Sequence, residues 1–325
     1  RLFEDVHGQF RFCLLTLAGS EWESDGFELA FYLTQVEDLK DDDKKFKLSK
    51  DEIKLINPNT NNLPIFETAE DAKLVMRLYE WVGALLIKDQ EGGNPWEIDS
   101  SGEFHMGHDA DLFETHDELS ESGWELEGNL FKKENEEYVP LYESKLIHQY
   151  NYRFATFEGA SEEDINNGSA RQVPQDELDD TSNVILPRYW IPEADYEDSQ
   201  GGDWHLVQRT ITNATNERTV ISTIIPRAGA ANSINTMEGP SAKESLLLTS
   251  FFNSYALNFA ARQKLSGSNL NWYVVWQLPV PNPDYLSNVR IGDAPAEKVI
   301  LDLAQKLVYT ANDLSSFAED IDINR

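Results

Sequence analysis

Acid is spread through almost the whole chain, and one long stretch escapes it. The 325 residues carry 58 Asp/Glu against 27 Lys/Arg, a formal net charge of −31. From Trp204 to Val280 the balance reverses: six cations (Arg209, Arg218, Arg227, Lys243, Arg262, Lys264) stand against three acids (Glu217, Glu238, Glu244). A chain like this must fold with its carboxylates at the surface. A surface that meets a polyanion belongs in the acid-poor stretch, because binding to phosphate needs cations. That stretch also holds the least ordinary text in the sequence, Arg209-Thr-Ile-Thr-Asn-Ala-Thr-Asn-Glu-Arg218 and Ala261-Arg-Gln-Lys-Leu-Ser-Gly-Ser-Asn-Leu-Asn271.

The acid outside it is dispersed rather than gathered into a tail, with blocks such as Asp41-Asp-Asp43 and Glu134-Asn-Glu-Glu137. A net charge of this sign argues against nucleic-acid binding in ordinary salt. Whole-surface dispersal instead fits a halophile, in which molar salt screens repulsion to a few ångströms. Forty per cent hydrophobic residues is globular composition, and the length suffices for two domains or one large one. No apolar run approaches the roughly 20 residues that span a bilayer, and no signal peptide is legible. The one cysteine, Cys13, sits in the apolar run Phe12-Cys-Leu-Leu-Thr-Leu17. It reads as a buried, inert thiol in a reducing cytoplasm. The chain opens at Arg1-Leu-Phe without Met, in text that already reads as structured, and is expected to be a piece of a longer protein.

Residues 9–17 and 27–34 read as an antiparallel strand pair around a polar connection. Glu37 to Lys47 is a charged connection. Ser49, with Glu52 three residues on, opens a short helix, and Thr68 opens a longer one with Leu74, Leu78, Trp81, Val82 and Leu85 at helical spacing. From Gly92 to about Pro192 the text is that of a loop-rich β subdomain. Val207 to Pro226 reads as two strands around an Asn/Thr-rich turn, Glu244 to Gln263 as one helix, Asn271 to Leu278 as a strand closed by Pro279, and Ala294 to Asp320 as mostly helix.

Catalytic constellations are absent from the sequence. His105-Met-Gly-His108, with His116 nearby, has i,i+3 spacing, but Gly107 weakens any helix there and surface loop histidines are the expected reading. Asn57-Pro-Asn-Thr60, Asn94-Pro-Trp-Glu97 and Asn282-Pro-Asp284 begin like the Asn-Pro-Pro-aromatic loop of amino-methylating enzymes. None has the second proline, and no acidic-x-Gly-x-Gly strand precedes them. In the acid-poor stretch, Arg suits guanine edges, Asn suits adenine edges, and Thr and Ser hydroxyls suit phosphate or bases. The competing reading is that the asparagines cap turns and the arginines pair with local acid.

Several blocks in order resemble the C-terminal half of type IIG restriction–modification and phage-defence DNA adenine-N6 methyltransferases, with a TaqI-like specificity domain. They include Leu55-Ile-Asn-Pro-Asn-Thr60, Ile147-His-Gln149, Arg153-Phe-Ala-Thr156 and Leu186-Pro-Arg-Tyr-Trp190. The strongest are Ile211-Thr-Asn-Ala-Thr-Asn-Glu-Arg-Thr219, Ala261-Arg-Gln-Lys264, Asn269-Leu-Asn271 and Gln277-Leu-Pro-Val280.

The resemblance implies a mixed α+β chain. Residues 1–36 would be the last strands of a Rossmann-like methyltransferase sheet, 37–90 a connecting helical segment, and 91–325 the loop-rich target-recognition region. It implies no cofactor in this fragment, S-adenosylmethionine and the base-holding loop lying upstream, and no activity for the fragment alone. Its partners would be double-stranded DNA, its own methyltransferase domain, and possible nuclease or other defence subunits, with no membrane. Arg209, Asn213, Asn216, Arg218, Arg262, Lys264, Ser266, Asn269 and Asn271 are the candidate DNA-binding residues. The cations are assigned to phosphate or guanine and the asparagines to base edges or loop architecture. Text shared by enzymes with different targets points more to scaffold and backbone grip than to base choice, which leaves Gly92 to Asp198 and Ala228 to Ser241 as candidates for specificity. Two other classes stand beside this reading: a protein-interaction module that docks a nuclease or partner subunit, and a hydrolase using His105 and His108.

Overall fold

The computed structural model describes residues 12–19, 21, 24–100, 103–265 and 267–321. Its class is α+β with small, mostly antiparallel sheets. The central sheet runs Ser222–Pro226, Trp204–Arg209, Ile234–Glu238, Asp99–Ser100, every neighbour antiparallel. Trp204 stands opposite Pro226 and Gln208 opposite Ser222, so Val207 to Pro226 forms the expected two strands around a turn. All but the edge strand Asp99–Ser100 are buried on both faces over most of their length, and their polar side chains must therefore find partners inside. Ser222 Oγ donates to the Val207 carbonyl at 2.7 Å. Asn235 Nδ2 donates to Gln208 Oε1 at 2.8 Å and to the Leu270 carbonyl at 3.0 Å.

The helix expected over Glu244 to Gln263 is two helices, Ala242–Phe252 and Tyr255–Lys264. Asn253 causes the break. Its Oδ1 accepts from Ser222 N and its Nδ2 donates to the Ser222 carbonyl, clamping the end of the first helix to the sheet. Ser254 then caps the second helix by accepting from Leu257 N. Helix Ala296–Val308 packs on Ala242–Phe252.

A second sheet supplies the β subdomain expected between Gly92 and Pro192. Glu125–Glu127, Leu130–Lys133 and Glu136–Tyr142 form a meander, and Tyr189–Pro192 pairs antiparallel to the last strand. Gly229–Ala230 joins it in parallel beside Leu141–Tyr142. The turn from strand Ile234–Glu238 into helix Ala242–Phe252 depends on Gly239, whose φ of 97° and contact with the Glu97 carbonyl leave no room for a Cβ.

The helices at Lys50–Ile56 and Ala69–Val82 start as expected, each with a reciprocal capping box, Ser49 with Glu52 and Thr68 with Asp71. They enclose their own cluster of Leu48, Ile53, Ile56, Phe66, Ala72, Val75, Met76 and Tyr79. The face of the longer helix differs from the apolar spacing in the sequence: Ala72, Val75, Met76 and Tyr79 are buried, while Leu74 and Trp81 are exposed.

Three expectations are corrected. Phe27–Leu29 pairs antiparallel with Phe46–Leu48 and not with the 9–17 run, because Phe46 and Leu29 pack onto the helical cluster. The described part of that run has no strand, and Cys13 is exposed rather than buried; residues 9–11 lie outside the described residues. Asn271 to Leu278 is not a strand but a single helical turn, Trp272–Val275, and a tight exit. Distant groups hold it: the Trp276 and Leu278 carbonyls accept from Leu86 N and Leu85 N, and the Tyr79 hydroxyl donates to the Gln277 carbonyl. Among the described residues no helix is long and apolar enough to cross a membrane.

Candidate nucleic-acid interface

The two unusual motifs of the acid-poor stretch, about 50 residues apart, are side by side. Ile211 and Asn269 form an antiparallel bridge. Thr212 N donates to the Ser268 carbonyl at 2.9 Å and Leu270 N to the Thr210 carbonyl at 2.8 Å. Beneath them Asn258 Oδ1 accepts from Thr219 N at 2.7 Å and from Val220 N at 3.3 Å, which fixes the return of the first loop onto helix Tyr255–Lys264.

The candidate residues separate into supports and free groups. Arg262 is a support. Its guanidinium donates to Thr219 Oγ1 (3.2 Å) and to the carbonyls of Asn216 (2.5 Å) and Glu217 (2.8 Å), bracing the 213–218 loop from below. Lys264 is another. Its ammonium donates to the Ile56 carbonyl (2.6 Å) and Asn57 Oδ1 (2.5 Å), and it lies 5.0 Å from the Tyr79 ring centroid. The charged end is enclosed although the residue as a whole is only partly buried, and burial pushes its pKa down to about 7. Asn213 turns the chain, its Oδ1 accepting from Thr215 N and Oγ1, both at 3.0 Å.

Asn216, Asn269 and Asn271 are exposed, and none of their carboxamides has a partner among the described residues. Asn271 occupies the residue before helix Trp272–Val275 without capping it through its side chain. Ser266 lies outside the described residues.

Arg209 and Arg218 differ from the two ion-paired arginines, Arg171 and Arg227. Arg227 contacts Glu137, Glu193 and Glu197, and Arg171 contacts Glu158 and Glu177. Among the described residues no carboxylate lies within ion-pair distance of Arg209 or Arg218, and each has one buried side-chain nitrogen without a hydrogen-bond partner, Nε of Arg209 and one terminal guanidinium nitrogen of Arg218. Burial lowers the Arg209 pKa. Arg218 stacks 3.9 Å above the Tyr255 ring, which is 79% exposed.

Aromatic groups that the sequence did not single out complete this surface. His148 stacks on Phe154 at 4.7 Å, and burial, followed by the charge of Arg209, lowers its pKa and favours the neutral imidazole. Tyr150 sits at φ 59°, a left-handed conformation that a bulky residue seldom adopts. It is held there by its N–H on the Ser222 carbonyl and by the His148–Asn151 bridge. Ile147-His-Gln149 had carried only family likeness; no periodicity marks His148 or Tyr150 as neighbours of Arg209 and Arg218.

His105 and His108 are exposed, edge to face at 4.4 Å, and His105 Nδ1 accepts from the backbone N–H groups of Gly107 and His108. No family model and no curated protein matches the chain.

Proposed function

We propose that this chain is the target-recognition region of a halophile's site-specific DNA adenine-N6 methyltransferase, acting in the cytoplasm within a restriction–modification or phage-defence system. The observation that carries the reading is the pair Arg209 and Arg218. In a chain of net charge −31 they stay free of carboxylates and share one face with His148, Tyr150 and Tyr255. Such a face suits a polyanion with stacked rings: the guanidiniums meet phosphate or guanine, and the aromatics meet sugar and base faces. The free carboxamides of Asn216, Asn269 and Asn271 supply donor–acceptor pairs that match an adenine edge.

Arg262 and Lys264 act one layer below, keeping the loops in place. Bound DNA would present one adenine to a methyltransferase domain outside this chain, whose S-adenosylmethionine supplies the methyl group. The residues here bind and orient, and perform no chemical step. Residues 1–36 as the edge of that domain's Rossmann-like sheet belong to the same proposal.

Docking to a nuclease or partner subunit is the second reading. It is favoured by Leu303 and Leu307, both more than half exposed one helical turn apart on Ala296–Val308.

Fluorescence anisotropy of a labelled duplex, titrated across KCl concentrations in which the protein stays folded, tests the proposal. Saturable binding is expected. No binding at any such concentration contradicts it and favours docking.

A further inference from the structure

Beside the paired loops lies a half-open cleft of about 260 Å³. Leu265 and Val274 form its apolar part, Ser268, Asn269 and Asn271 its polar part, and Tyr273, itself 51% exposed, its aromatic edge. Among the described residues, none of those lining it is charged. The cleft belongs to the charge-poor stretch, and its neutrality decides the chemistry of the occupant.

A phosphate does not fit. Helix Tyr255–Lys264 ends at the cleft, so its carbonyl end, which repels anions, points there. Lys264, next in sequence to Leu265 of the cleft, has its ammonium turned away to Ile56 and Asn57. A purely apolar ligand does not fit either, because it would strip water from two free carboxamides without replacing it. What matches is a flat, neutral ring with donors and acceptors on its rim: the rim meets Asn269 and Asn271, and the face meets Tyr273.

We infer that this cleft is a nucleobase pocket, and that its occupant is a base swung out of a DNA duplex bound on the neighbouring Arg209/Arg218 face. The inference rests on the DNA-binding reading for the source of the base and on the cleft alone for its chemistry. The pocket holds the base non-covalently, by stacking and by edge hydrogen bonds.

The test compares three probes in the same KCl buffer: a fully paired duplex, the same duplex with one bulged 2-aminopurine, and free 2-aminopurine riboside. Binding of each is followed by the fluorescence of the modified base or of an end label. The bulged duplex is expected to bind about tenfold more tightly than the paired one, the effect of one stacked base. Tyr273→Ala, at an exposed ring that the fold does not need, should remove that preference while leaving paired-duplex affinity and the urea midpoint unchanged, and Asn271→Ala should remove the preference as well.

Equal affinity for bulged and paired duplexes, or a preference that survives both variants, overturns the pocket and leaves the DNA-binding reading standing. Binding of the riboside that the variants abolish, with no duplex binding, upholds the pocket's chemistry and overturns its DNA source.

Discussion

Replacing Lys264 with methionine should change how the stability of this protein depends on pH, and the sign follows from where the ammonium lies. In the folded chain Lys264 donates to the Ile56 carbonyl and Asn57 Oδ1, and burial lowers its pKa to about 7. In the unfolded chain a lysine titrates near about 10.4. Between those values the unfolded state binds the extra proton, so the free energy of unfolding rises with pH from about 7 to about 10 and is flat below about 7. The full displacement corresponds to about 5 kcal/mol at about 1.4 kcal/mol per pH unit. Relaxation and water entry on unfolding a loop would bring this nearer to about 2 kcal/mol.

Methionine keeps the stem, removes the proton site, and leaves two oxygens without a donor, at about 1–3 kcal/mol each. The two effects oppose, so the variants should lie close together near pH 6 and diverge in favour of wild type toward pH 10. Urea unfolding at fixed KCl, followed by tryptophan fluorescence across that range, gives the difference directly. Parallel curves, with a constant gap at every pH, would refute the enclosed ammonium.

Other outcomes follow from the same geometry. Arg262→Ala removes three hydrogen bonds and should cost about 1–3 kcal/mol in urea unfolding while weakening duplex binding without altering its salt slope. Asn253→Ala orphans the buried Ser222 N–H and leaves the Ser222 carbonyl with Tyr150 N as its donor, for a loss of about 1–3 kcal/mol by the same measurement. Cys13 is exposed, so a thiol reagent should modify the native protein as fast as the urea-unfolded one; slow native modification would show that the 12–17 run is covered.

The sequence was most legible where local chemistry decides structure. Ser49 with Glu52 and Thr68 with Asp71 announced two helix starts, and the Asn/Thr-rich turn between Val207 and Pro226 announced a strand pair. It misled where a distant group decides. Trp272-Tyr-Val-Val275 has the composition of a strand, yet Leu85, Leu86 and Tyr79 hold the following carbonyls and leave only a helical turn. Ser254 is a local cap signal beside the break, while the clamp of Asn253 onto the sheet is not legible, because its partner Ser222 lies 31 residues away.

The candidate site divides in the same way. The acid-poor text identified the two loops that meet. Whether a cation is free or committed depended on neighbours: Arg218 faces Tyr255, while Lys264, equally basic in the sequence, is spent on Ile56. The same holds for the asparagines, since Asn213 caps a turn as the competing reading had it and Asn269 and Asn271 do not.

The most direct test of the central claim is the salt dependence of duplex affinity for wild type against Arg209→Gln/Arg218→Gln, with Arg227→Gln as the ion-paired control. Each lost phosphate contact should make the slope of log affinity against log salt shallower by about 0.9, so the double variant should bind more weakly with a slope shallower by nearly 2. Arg227→Gln should leave the slope alone. A double variant that is folded and indistinguishable from wild type in both affinity and slope would contradict the account.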